Sequence, residues 1–373
     1  MAQLSSRMRT LVQPHLADIE PYDPAFTPCK INLSANENTY PLPEGVREAI
    51  DAALAATPLN RYPDPMSNDL RDQIAAWRGV ERGRICVGNG GDELLYNFLL
   101  AFGGVGRTLL TCPPDFSEYA FFASLTQTGV ERVWRDPATF DVPRDELLDA
   151  ASRADLVILT SPNNPTGNLV PIDLAREVCR VCPGLVMVDE AYGEFADACT
   201  TAECLLDECD NLVVLHTLSK AFGEAGIRCG YVLAASDVID AFAAIRQIYS
   251  VNVLTQAVAF AAVRNRRTFA PVVDEIRAQR ERMVQELSAL VEPLASQAAV
   301  WPSHGNFVLV RLPHASDVRA RLRDEFSILV RDFSYAPGLE DCLRITVGTP
   351  AENTAVLDAL RAIMECDGCD ERG

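Results

Sequence analysis

Lysine is nearly missing from this chain. Of its 33 basic residues only Lys30 and Lys220 are lysine, and arginine supplies the rest. Where positive charge alone is needed, this composition uses arginine. Arginine cannot be deprotonated in a protein, whereas a lysine amine can lose its proton and form a Schiff base. Lys220 is therefore a candidate for chemistry. Positive charge is scarce overall. The formal net charge is −19, which argues against nucleic acid or an acidic membrane surface as the main partner. A local arginine cluster can still take a small anion. No apolar run reaches the ~20 residues that a membrane helix needs. The opening MAQLSSRMRT lacks the apolar stretch of a signal peptide, so the cytoplasm is the expected location. The four histidines, His15, His216, His304 and His314, have no ligand spacing, and no metal site is expected.

Cysteine is not scarce. Among the 12 cysteines two pairs have CxxC spacing, Cys179/Cys182 and Cys366/Cys369. The two pairs lie too far apart in sequence for a zinc knuckle. The second sits in a polar tail, ECDGCDERG, that reads as frayed. The thiols are expected to be reduced and structurally incidental.

A chain of 373 residues can bury a large core. Residues 1–60 read as an N-terminal arm and part of a small domain, 61–255 as a large domain, and 256–373 as a C-terminal small domain. A helix is predicted from about Pro43 to Ala56, with Val46, Ile50, Ala53 and Leu54 on one face. Ile85-Cys-Val reads as a strand, Gly88–Gly91 as a glycine turn, and Asp92 onward as a helix. That order aims backbone N–H groups and a helix N-terminus at a phosphate. The later cluster Gly103–Gly106 follows a helix and reads as its stop.

Further strands are predicted at Thr108–Thr111, Leu156–Thr160, Leu185–Val188, Asn211–Leu215 and Arg228–Ala234. They alternate with helical stretches, the pattern of an α/β fold with a doubly wound, mostly parallel sheet. Gly91, Phe116, Asn164, Asp189, Tyr192, Ser219 and Lys220 all fall just past the carboxyl ends of different strands. Open α/β sheets bind ligands at that edge, so these residues are expected to form one site. Asn252 to about Leu290 reads as long and helical with a solvated charged face. Strands at Asn306–Leu312, Ile328–Val330 and Leu343–Val347 then make a small α+β layer carrying Arg331 and Arg344.

Pyridoxal 5′-phosphate (PLP) gives each of these residue types a reason. Lys220 would hold it through a Schiff base. Asp189 beside the ring nitrogen would keep that nitrogen protonated, since an opposite charge favours the charged form, and the ring becomes an electron sink. Tyr192 and Asn164 suit the ring oxygen, and Phe116 the ring face. Ser219, Thr217, Arg228 and the amides of Gly91, Asp92 and Glu93 suit the phosphate, with Arg228 supplying charge-assisted bonds.

These residues stand in motifs that resemble the fold-type I PLP-dependent aminotransferases of class II, and among them the histidinol-phosphate aminotransferase group. The motifs are Asn36-Glu-Asn, Arg61-Tyr-Pro-Asp-Pro, Gly90-Gly-Asp-Glu93, Ser161-Pro-Asn-Asn-Pro-Thr-Gly, Val188-Asp-Glu-Ala-Tyr, Thr217-Leu-Ser-Lys-Ala-Phe, Gly226-Ile-Arg-Cys-Gly and Cys342-Leu-Arg-Ile-Thr-Val-Gly. They run in order over nearly the whole chain. The resemblance implies a homodimer in which Tyr62 reaches the cofactor phosphate of the neighbouring subunit. It also implies that Tyr22, Asn36, Arg331 and Arg344 contact substrate, the arginines taking its phosphate or carboxylate. The substrates implied are histidinol phosphate and glutamate or 2-oxoglutarate. Aromatic amino acid transamination and phosphothreonine-type decarboxylation use the same cofactor residues and stay open at this point. The chain departs from the usual pattern at Asn38-Thr-Tyr-Pro-Leu-Pro, in the substrate region. Phe116 replaces the more usual stacking tyrosine, and Gly91 stands where serine or alanine is common.

Overall fold

The computed structural model describes residues 4–17 and 27–370, with side chains through 365. The first strand, β1 (Ile31–Leu33), belongs to a small sheet. The next seven are β2 (Ile85–Gly88), β3 (Thr108–Thr111), β4 (Gly129–Arg132), β5 (Leu156–Thr160), β6 (Leu185–Asp189), β7 (Leu212–Thr217) and β8 (Gly230–Leu233). They form one sheet in the order β2-β8-β7-β6-β5-β3-β4. Neighbours from β4 through β7 pair in parallel, and β8 runs antiparallel to both β7 and β2.

Apart from the edge strand β4, the strands are largely buried because both faces of the sheet are covered. Along β7, Leu212 and Val214 join one apolar cluster with Leu174 and Val178 of the helix Ile172–Val181. Val213 and Leu215 join the other, with Phe98 of the helix Gly90–Phe102 and Phe242 of Ser236–Ile245. Odd residues of β7 therefore share the face that continues into Thr217 and Ser219.

The smaller sheet is ordered β1-β11-β12-β10-β9, with β9 (Ala299–Val300), β10 (Phe307–Arg311), β11 (Ile328–Asp332) and β12 (Cys342–Thr346). β1 pairs in parallel with β11, Ile31 opposite Ile328. Residues from near both ends of the chain thus share one layer.

Four expectations need correction. The edge strand β4 was not anticipated; its four residues are all at least partly exposed, so no apolar run announced it. The long helical stretch is broken. Asn252 caps Val253–Arg264 by accepting from the Leu254 and Thr255 amides, and a second helix, Ala270–Val291, starts after a short 3-10 turn with a proline in its first turn. Its charges are not all solvated either. Arg280 is buried and donates to the carbonyls of Phe195 and Gly305, while Arg277 donates to those of Glu194, Phe195 and Ala196. The C-terminal helix Pro350–Asp370 runs into the stretch expected to be frayed, as far as Asp370.

Candidate active site

The carboxyl ends of β3, β5, β6 and β7 meet the small sheet around a cavity of about 560 Å³. Gly91, Asp92, Phe116, Asn164, Asp189, Tyr192, Thr217, Ser219, Lys220, Arg228, Arg331 and Arg344 all line it. Parallel pairing explains the convergence, because every parallel strand delivers its following loop to the same edge.

One end of the cavity suits an anion. β2 turns at Gly90, whose φ of +83° favours glycine, directly into a helix. A Cβ on Gly90 would lie 2.5 Å from Arg228 Nη2, so only glycine lets the guanidinium approach this turn. Arg228 itself is left-handed, with φ 55°, and precedes β8 instead of starting it. Its Nη2 donates to Asp92 Oδ2 at 2.9 Å and its Nη1 to the Ala225 carbonyl at 3.1 Å, with Ser219 Oγ at 3.4 Å. Thr217 Oγ1 accepts from the Ser219 amide at 3.1 Å. A guanidinium, two hydroxyls and a helix N-terminus are the donor set of a phosphate site. The Glu93 side chain turns back to accept from the Asn89 amide and does not line the cavity.

The other end holds the proton chemistry. Lys220 Nζ donates to the Ala35 carbonyl at 3.0 Å and lies 5.7 Å from the centre of the Tyr192 ring. Asp189 is buried, and burial pushes its pKa above the usual carboxylate range. Hydrogen bonds donated by Tyr119 and by the Ala191 amide pull the other way. Tyr192 Oη accepts from Asn36 Nδ2 at 3.0 Å. Asn36 therefore stands behind Tyr192 and is not a wall residue.

Arg344 is buried and donates to Asn164 Oδ1 at 2.5 Å and to the Ser34 carbonyl at 2.6 Å. Arg331 is half-buried, with Tyr335 Oη 3.5 Å away. Tyr62 is 80% exposed and stacked on Tyr249 at 4.6 Å, away from this cavity. Tyr22 lies outside the described residues.

Sequence reasoning missed Tyr119, Thr160, Trp134 and Tyr335, which also line the cavity. Tyr119 follows Phe116 by one helical turn, a spacing that could have flagged it. It also missed a grouping on the opposite face of the large sheet. Glu190, Glu203 and His216 bring their donor atoms within 4.8 Å of one another. Glu203 Oε1 lies 2.9 Å from His216 Nε2 and 2.7 Å from Arg78 Nη1, so this cluster already carries its own cation. Burial pushes Glu190 up to about 7.

A lysine, a buried carboxylate and a phosphate cradle on one edge of a doubly wound sheet define an aminotransferase-type site. The model of the family "Aminotransferase class I and II" matches residues 28–360, and the chain belongs to that family. It is 38% identical to the histidinol-phosphate aminotransferase of Chromobacterium violaceum, over 95% of this chain and 98% of that protein. It is 34% identical to that of Caldanaerobacter subterraneus subsp. tengcongensis, over 96% of this chain and 99% of that protein. Among solved structures, the histidinol-phosphate aminotransferase of Sinorhizobium meliloti in complex with pyridoxal 5′-phosphate superposes with a TM-score of 0.86 at 26% identity. That alignment covers 98% of this chain and 100% of the other.

Proposed function

We propose that this chain is a PLP-dependent aminotransferase that moves an amino group between histidinol phosphate and 2-oxoglutarate, giving imidazole-acetol phosphate and glutamate, or the reverse. The observation that carries the reading is that Lys220, Asp189 and the Arg331/Arg344 pair line one cavity. PLP fits the residues present. The Gly90 turn leaves room for the Arg228 guanidinium at a phosphate cradle, and the buried Asp189 carboxylate faces the same space.

When bound, PLP supplies an electron sink for the substrate carbon. The chain's own residues do the rest. Arg228, Ser219, Thr217 and the amides of Gly91, Asp92 and Glu93 would hold the phosphate. Asp189 would keep the ring nitrogen protonated, Phe116 would cover the ring face, and Tyr192 and Asn164 would donate to the ring oxygen. Lys220 would anchor the cofactor through its amine and would move a proton at the substrate carbon. Arg331 and Arg344 take the substrate's phosphate in one half-reaction and the distal carboxylate of glutamate in the other. Tyr22 completes the substrate side, and Asn36 acts on it only through Tyr192, to whose hydroxyl it donates.

The chain acts as a homodimer in which Tyr62 completes the neighbouring site. What supports this is the exposed Tyr62–Tyr249 stack, with Leu59 and Ile248 exposed within three residues of it in sequence, since exposed apolar groups that cluster mark interaction surfaces. The two sheets support a large domain over 61–255, with 1–60 and 256–373 forming the smaller one. The cytoplasm is the proposed location.

The test is a half-reaction absorbance screen of PLP-loaded protein against histidinol phosphate, phenylalanine, tyrosine and phosphothreonine. Histidinol phosphate should react fastest. A preference for phenylalanine or tyrosine would overturn the substrate and leave the aminotransferase.

A further inference from the structure

Asp189 does not meet the cavity unsupported. Its Oδ2 accepts from the Tyr119 hydroxyl at 2.6 Å, and Tyr119 Oη lies 2.9 Å from Thr160 Oγ1. A tyrosine hydroxyl has a single proton. With that proton given to the carboxylate, Thr160 must donate to Tyr119. The order is therefore Thr160 Oγ1–H to Tyr119 Oη–H to Asp189 Oδ2. Asp189 Oδ1 is held separately by the Ala191 amide at 3.0 Å. Both oxygens are pinned, so the carboxylate plane cannot turn without breaking a bond.

The three residues come from different elements. Tyr119 is on the helix Glu118–Leu125, Thr160 ends β5, and Asp189 ends β6, with Thr160 and Asp189 register partners. Tyr119 is 0% exposed, Thr160 3% and Asp189 4%. Water cannot replace a bond lost inside such a chain, and each is charge-assisted or supports one that is. Burial drives the Tyr119 pKa far above its ordinary value, so the hydroxyl keeps its proton and stays a donor.

We propose that Tyr119 and Thr160 are positioning residues that fix the orientation of the Asp189 carboxylate toward the cofactor's ring nitrogen and hold it ionised. The inference rests on the PLP reading above and deepens it. Other charged groups act on the same place. Asp92 favours the neutral form of Asp189 and His216 the ionised one, while Asp115 acts on Tyr119. None of these is altered by Tyr119→Phe, which also keeps the ring that meets Phe116 edge-on at 5.6 Å and 84°.

The experiment is a double-mutant cycle on the PLP-loaded protein, comparing wild type, Tyr119→Phe, Asp189→Asn and the double variant. Two quantities are read besides turnover: the PLP dissociation constant by equilibrium dialysis, and the pH midpoint of the bound cofactor's absorbance. Tyr119→Phe should weaken PLP retention roughly tenfold, as expected for a lost charge-assisted hydrogen bond, and shift the midpoint. In the Asp189→Asn background the same substitution should do neither. Thr160→Val should act in the same direction but less, and Thr160→Ser, which keeps the hydroxyl, should match wild type. Should Tyr119→Phe fail to fold, the Thr160 pair decides the matter alone. An unmoved midpoint, or an equal effect of Tyr119→Phe in both backgrounds, overturns this inference and leaves the PLP reading intact. A wild-type chain that takes up no PLP overturns both.

Discussion

Arg331 and Arg344 face each other as register partners on the antiparallel strands β11 and β12, and both line the cavity. Both guanidiniums also lie over the Phe333 ring, at 5.9 and 5.4 Å. Like charges directly opposite on a ladder repel. Here that repulsion favours a ligand anion between them. Arg344 is set in place through Asn164 and the Ser34 carbonyl.

Arg344→Lys removes that two-sided grip, because an ammonium cannot reproduce the planar fork. The kcat/KM for histidinol phosphate should fall by on the order of 2–4 kcal/mol of transition-state binding. Phenylalanine, which has no distal anion, should be a poor substrate and change little. Steady-state kinetics with both substrates check this, and equal losses would count against the phosphate role.

Borohydride reduction of the PLP-loaded protein followed by peptide mapping should place the pyridoxyl label on Lys220. Label on Lys30 would overturn the assignment. Lys220→Ala should cut turnover by at least the ~10²–10⁴ attributable to general acid–base catalysis.

Gly90→Ala places a methyl 2.5 Å from Arg228 Nη2 at a residue with φ +83°. The backbone strain alone costs on the order of 1–3 kcal/mol, and the guanidinium must also retreat. Weaker PLP retention together with a lower urea midpoint is the expected result. Unchanged PLP binding would show that Arg228 is not at the phosphate.

Glu224 is buried, and neither carboxylate oxygen has a hydrogen-bond partner among the described residues. Burial pushes its pKa from the ordinary 4.5 up to about 8. Between those values the native state keeps a proton that the unfolded chain has lost. Stability therefore falls as pH rises through that window, then levels off. Glu224→Leu should add on the order of 2–3 kcal/mol near neutral pH and flatten this dependence. Urea unfolding at several pH values measures both, and parallel curves for the two proteins would refute the prediction.

The large sheet could be read from the sequence because its central strands are continuous apolar runs buried on both faces. β3 and β5 begin and end where expected, and Lys220 stood out against an arginine-rich background. β4 could not be read, since an exposed edge strand carries little pattern. The site's supporting residues were hidden for a different reason. Tyr119 and Asn36 act on Asp189 and Tyr192 across separations of 70 and 156 residues, and local sequence gives no sign of such partners. Arg280 looked like surface charge, and only the packing of its helix against the loop after β6 buries it.

That loop gives the grip of Arg277 and Arg280 a particular character. Their carboxylate partners, Asp274 and Glu281, lie on their own helix, and the bonds that cross to the loop go to the carbonyls of Glu194, Phe195 and Ala196. A peptide oxygen has no net charge for salt to screen and no proton to gain in acid. The fastening between the long helix and the large sheet should therefore hold in brine or at low pH, where the many exposed carboxylate pairs elsewhere on this acidic surface let go.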